Sequence, residues 1–166
     1  MGNVCIIPTP TGDVQNFSER RNRIWVVSSG GFDPMHIGHI RMFEHAKKLG
    51  DTHIVIVNND NWLCKKKGAN FMPQQERIEI ILALRSVDGV VLTAHPHNPH
   101  DMSVSNELRF LNPDIFVNGG DRKDHNTPET QVCNDLGISM EFNVGVGGKV
   151  QSSSWLLAGN NGVKTK

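Results

Sequence analysis

Two histidines three residues apart, His36 and His39, flank Gly38 shortly after a Gly30–Gly31 pair. A glycine pair lets the chain turn tightly and lets a ligand lie against the backbone. The Asp33–Pro34 step that follows biases the chain from extended to turn. Gly38 stands where a helix should begin, so no side chain covers the first amides there. Those free N–H groups and the helix dipole form an anion site. Imidazoles beside such a site can donate hydrogen bonds to phosphoryl oxygens. They matter most as negative charge builds on a five-coordinate phosphorus. A lone His-x-x-His is incidental in most proteins, and histidine is also a common zinc ligand. No third ligand is evident nearby in the sequence.

Further groups lie downstream. Lys65, Lys66 and Lys67 precede Gly68; taken alone they read as a solvated basic loop. Gly119–Gly120–Asp121–Arg122 reads by itself as a glycine turn with an Asx cap. Ser152, Ser153 and Ser154 precede an apolar stretch, and a serine at a helix start caps its amides. Capping accounts for one of the three. His95, His97 and His100 share a Pro-containing loop that could take up a metal, although a polar loop near a substrate mouth is the expectation. Trp25 is expected in the core, while Trp62 could stack on a base or pack a lid.

These groups need a scaffold. Short β-rich runs alternate with helical patterns. Strands are predicted at Ile24–Ser29, His53–Val57, Val87–Thr93, Asp114–Val117 and Ile138–Asn143. Helices are predicted at His39–Leu49, Gln74–Arg85, Ser103–Leu111, Pro128–Leu136 and Ser152–Leu157. The alternation implies an α/β, Rossmann-like, doubly wound sheet of five parallel strands with right-handed crossovers. Ligands of such sheets sit outside the carboxyl ends of the strands, where the strand order reverses. The first strand–helix junction is therefore the expected site. Residues 1–22 read as an N-terminal extension, 23–158 as the domain and 159–166 as a flexible tail.

The run Gly-Gly-Phe-Asp-Pro-Met-His-Ile-Gly-His from Gly30 to His39 resembles the GxFDxxHxGH signature of the cytidylyltransferase-like nucleotidyltransferases. The resemblance extends from about Ile24 to Leu157. It is nearest to the heptose-1-phosphate adenylyltransferase and glycerol-3-phosphate cytidylyltransferase branches. It implies transfer of a nucleotidyl group from CTP or ATP to a phosphorylated sugar or polyol, with Mg2+ accompanying the triphosphate. It casts His36, His39 and Lys67 as catalytic groups. It casts Gly30, Gly31, Phe32, Asp33, Gly38, Gly119, Gly120, Asp121, Ser152, Ser153 and Ser154 as nucleotide-binding residues. Lys65, Arg77 and Arg122 are candidates for the acceptor phosphate, with Arg77 equally suited to pair with a carboxylate. The arginine that opens the family's second signature is replaced by Gly147, with Lys149 the nearest cation; Ala158 stands where a basic residue often follows. These departures keep a catalytically impaired nucleotide-binding module as an alternative, beside a histidine–metal hydrolase. The resembling families are often dimers, which makes a homodimer a candidate state.

Bulk properties narrow the field. Lys+Arg and Asp+Glu are 17 each, so no global basic field points to nucleic acid. No run approaches the ~20 apolar residues of a membrane span. The N-terminus lacks the pattern of a secretory signal and gives no convincing myristoylation match. Three cysteines without a CxxC pair argue against a disulfide framework, and a reducing, cytoplasmic setting is expected.

Overall fold

A computed structural model describes residues 6–8, 22–119, 127–145 and 151–160. Among these residues six strands form one sheet: β1 (Ile6–Pro8), β2 (Trp25–Gly30), β3 (Thr52–Val57), β4 (Gly89–Leu92), β5 (Ile115–Val117) and β6 (Ser139–Glu141). Their spatial order is β1-β4-β3-β2-β5-β6. The five strands β2–β6 are mutually parallel, as expected. The sixth, β1, comes from the N-terminal extension and pairs antiparallel with β4. It covers an edge that would otherwise expose unpaired backbone groups.

The described residues also form six helices: α1 (Ile37–Lys48), α2 (Asp60–Lys67), α3 (Gln74–Leu82), α4 (Ser105–Leu111), α5 (Thr130–Leu136) and α6 (Ser153–Asn160). Strand β3 is buried along its whole length, as a strand covered on both faces must be. Val26, Val55, Val57 and Val90 pack against Met42, Phe43 and Ala46 of α1 and Ile78 and Ile81 of α3. Trp25, Val27, Ile54, Ile56 and Phe116 pack on the other face against Leu108 and Leu111 of α4 and Val132 and Cys133 of α5. The chain therefore winds one way through β2, β3 and β4 and the other way through β5 and β6. The order reverses between β2 and β5, beside the junction that carries the histidines.

Helix α2 is a correction to the sequence reading. The three lysines lie in its last turn rather than in a loop. Asn59 caps its start by accepting from the Trp62 amide, and Gly68, at φ 86°, stops it in the left-handed region. Lysines in a last turn also complement the helix dipole. Helix α3 ends at Leu82, short of Arg85.

Candidate active site

The loop from Gly31 to His36 is held from several sides. Arg77 has no exposed surface, and its guanidinium donates to Gly31 O and Asn58 O, both at 2.7 Å, and to Met72 O at 3.1 Å. Its remaining contact is an ion pair with Asp60 at 2.7 Å. Arg77 is thus engaged by protein and makes the carboxylate pairing that the sequence left open. Asp33 is also fully buried, and its carboxylate accepts from the Phe71 and Met72 amides at 2.8 and 2.7 Å. It anchors the segment between α2 and α3 and so positions the loop.

Phe32 takes φ 52°, a conformation costing roughly 1–2 kcal/mol for a residue with a Cβ. The strain aims the ring inward. It meets His39 edge-on at 5.0 Å and Phe43 at 5.2 Å. Phe32 is 3% exposed, and its ring props His39. The glycines before it serve that packing. A Cβ on Gly30 would lie 2.9 Å from the Phe32 ring, and one on Gly31 would lie 2.8 Å from Leu63.

The histidines themselves start α1. His36 is the N-cap, and its Nδ1 accepts from the Gly38 amide at 3.1 Å. His39 reaches back, and its Nδ1 accepts from the His36 amide at 3.2 Å. This is a reciprocal capping box built from two imidazoles. It corrects the expectation of an uncovered Gly38 amide, since that N–H is engaged by His36. The rings stack with centroids 3.7 Å apart.

A ring nitrogen that accepts carries no proton, so each neutral imidazole holds its proton on Nε2. Burial, then the neighbouring His36 and Lys67, push His39 down to about 3. Burial and then Lys67 lower His36 as well. Both rings are therefore neutral at pH 7 and present Nε2–H as a donor. Lys67 supplies the nearby positive charge, its Nζ resting on Asp33 O at 2.9 Å. Burial lowers its affinity for its proton, and Asp33 partly restores it.

The start of α6 closes the other side. Ser153 Oγ donates to Pro34 O at 2.7 Å, tying this helix to the histidine loop. Ser152 Oγ accepts from the Trp155 amide at 3.2 Å, while Ser154 is exposed. Two helix N-termini thus meet at one loop, a favourable place for polyanions.

Other candidates go elsewhere. Lys65 turns away to Asn98 at 2.6 Å. Gly119 packs against Met42, whose Sδ would lie 2.6 Å from an added Cβ. Gly120, Asp121 and Arg122, with Gly147 and Lys149, fall outside the described residues. Trp25 is in the core, and Trp62 packs and donates to Met102 O at 2.8 Å. His95 is held between Thr93 Oγ1 and Ser103 O, while His97 and His100 are exposed. Among the described residues no three His, Cys, Asp or Glu side chains converge as metal ligands. Among the same residues no helix is long and apolar enough to cross a membrane. His53, read from sequence only as a strand residue, is fully buried between Ser28 Oγ and Ser86 O.

The family model described as cytidylyltransferase-like matches residues 27–134. The bifunctional protein HldE of Syntrophotalea carbinolica is 36% identical over 127 residues, covering 75% of this chain and 24% of that protein. The FAD synthase of Pyrococcus abyssi is 40% identical over 101 residues, covering 60% of this chain and 65% of that protein. The chain thus spans a quarter of one relative's length and just under two thirds of the other's. A crystal structure of a lipopolysaccharide core biosynthesis protein from Thermoplasma volcanium superposes with a TM-score of 0.58 at 28% identity. That match covers 72% of this chain and 93% of the other.

Proposed function

The chain belongs to the cytidylyltransferase-like family, and we propose that it transfers a nucleotidyl group from ATP or CTP to the phosphate of a small polyol or sugar. The observation that carries this reading is the imidazole pair. Both Nδ1 atoms are committed to the helix backbone, so both Nε2–H groups are fixed as neutral donors. Such donors suit an α-phosphate that gains charge as it becomes five-coordinate.

In the proposed reaction an acceptor phosphate oxygen bonds to the α-phosphorus in line. The bond from that phosphorus to the α–β bridging oxygen breaks, and pyrophosphate leaves with the electron pair. The nucleophile is already an anion, so no general base is required. The protein's share is positioning and charge stabilisation. His36 and His39 donate to the α-phosphate. Lys67 releases Asp33 O and swings to the phosphates as a mobile point charge. The start of α6, through Ser152, Ser153 and Ser154, holds the leaving pyrophosphate. Mg2+ bound with the triphosphate would supply further neutralisation of the charge that leaves with the pyrophosphate.

The relatives support this acceptor class. FAD is an AMP unit joined to the phosphate of a ribityl chain, and a ribityl phosphate is a phosphorylated polyol. A grid of nucleoside triphosphates against glycerol 3-phosphate, sugar phosphates and FMN, read by pyrophosphate release, tests the proposal. At least one pair gives release that His39→Ala abolishes. Nucleotide binding without release for any pair would favour a binding module that has lost catalysis.

A further inference from the structure

Two buried side-chain amides at the carboxyl edge of the sheet each carry an atom without a hydrogen-bond partner among the described residues. Asn58 follows β3 and Asn118 follows β5, and each is 4% exposed. Among the described residues, Asn58 Oδ1 and Asn118 Nδ2 have no hydrogen-bond partner. Leaving such a group unpaired is costly, and a persistent case calls for a physical reason.

The ladder continues through both residues: Asn58 N donates to Gly30 O at 2.9 Å and Asn118 N donates to Glu141 O at 2.7 Å. Strand alternation therefore applies to them. Ile54 and Ile56 lie on the face covered by α4 and α5, and so does Phe116. Counting by twos puts Asn58 and Asn118 on that face. Ser29 of the intervening β2 falls there too, with Trp25 and Val27. Gly119, the next residue, points to the opposite face and meets Met42 of α1. The result is a polar row, Asn58–Ser29–Asn118, across three adjacent strand ends at the reversal of strand order.

We propose that Asn58 and Asn118 select the acceptor by hydrogen-bonding the hydroxyls of its polyol or sugar chain. This rests on the transfer reading above. In-line attack requires the acceptor to approach from the side opposite the leaving pyrophosphate. The N-termini of α1 and α6 meet on the pyrophosphate side, at the loop tied by Ser153 to Pro34. The asparagine row lies on the other face of the sheet. A carboxamide both donates and accepts, and its oxygen and nitrogen exchange by rotation about χ2. Successive hydroxyls, each donor and acceptor, match that pattern. An alkyl chain does not, and leaves both amides unpaired.

The test uses the near-isosteric variants Asn58→Leu and Asn118→Leu, alone and together. Binding of glycerol 3-phosphate, FMN and propyl phosphate is measured by calorimetry, apart from turnover. Wild type prefers at least one hydroxylated phosphate over propyl phosphate by about 10–100-fold, the worth of one or two hydrogen bonds in a dry site. The double variant loses that preference yet binds propyl phosphate as before. It also melts higher, by about 2–6 °C, because unpaired buried amides are replaced by apolar groups. No preference in wild type, or an unchanged preference in the double variant, overturns the assignment. So does a change confined to ATP-versus-CTP discrimination, which would place the base on the row. Failure of the transfer reading itself shows separately, as absent pyrophosphate release with hydroxyl preference intact.

Discussion

Replacing His36 by asparagine separates two jobs that one imidazole performs. As N-cap it accepts from the Gly38 amide at 3.1 Å; as a site group it presents Nε2–H. Asparagine is among the best N-caps, so His36→Asn keeps the first job and removes the second. His36→Ala removes both. Losing a cap costs about 1 kcal/mol. For a domain of this size that is roughly 2–4 °C in melting temperature. His36→Ala therefore melts about 2–4 °C lower, and His36→Asn melts close to wild type. Loss of one oxyanion-type donor costs on the order of 10²–10³ in turnover. Both variants should show that loss, with nucleotide affinity much less affected. Differential scanning fluorimetry and pyrophosphate release read the two effects independently. If His36→Asn turns over near the wild-type rate, His36 is a cap and nothing more, and the catalytic role fails.

Stability should fall with acid in a window set by the buried imidazoles. Burial holds His53 down to about 4, against an ordinary value of 6.5. The unfolded chain binds the proton first, so stability is full above pH 6.5 and is lost as pH drops towards 4. The shift corresponds to about 3 kcal/mol for this group. Urea unfolding at several pH values should show the fall, with a shallower fall in His53→Gln; an unchanged slope contradicts the assignment. Arg77→Met breaks a buried ion pair and leaves the Gly31, Asn58 and Met72 carbonyls short of a donor, so unfolding stability should drop by about 3–5 kcal/mol. A drop under about 1 kcal/mol with a large change in acceptor affinity would mean that Arg77 binds phosphate after all. Lys67→Ala should lower turnover at least about 10-fold while Lys65→Ala, whose Nζ sits on Asn98, changes it less than about 2-fold. The reverse order would move the catalytic cation to the other lysine.

Much of the fold was legible because strands buried on both faces leave long apolar runs. IWVVSS and HIVIV sit where β2 and β3 are. The histidine junction was legible because Gly30–Gly31, a proline and a helix pattern bracket it. Helix α2 was missed for a physical reason. Its buried residues, Trp62 and Leu63, are adjacent and show no 3.6-residue period. Only its caps, Asn59 and Gly68, signalled it. Strand β1 has three residues and a distant partner, and its pairing with β4 leaves no local trace. Arg77 suits a phosphate site by residue type, and Asp33 lies within the signature that the resemblance casts as nucleotide-binding. Their burial and partners come from tertiary packing, which spacing along the chain does not encode. The histidine capping box was missed because imidazole is an unusual cap. It nevertheless fixes the tautomer on which the chemistry depends.

In the proposed reaction the Nε2–H groups of His36 and His39 donate to oxygens of the same α-phosphate. A crystal structure with a nucleoside triphosphate whose α–β bridge is a methylene group tests it directly. The expected result places α-phosphate oxygens about 3 Å from both Nε2 atoms, with the Nδ1 caps intact. An α-phosphate bound out of hydrogen-bond reach of both rings, in a complex with the loop otherwise unchanged, would contradict it.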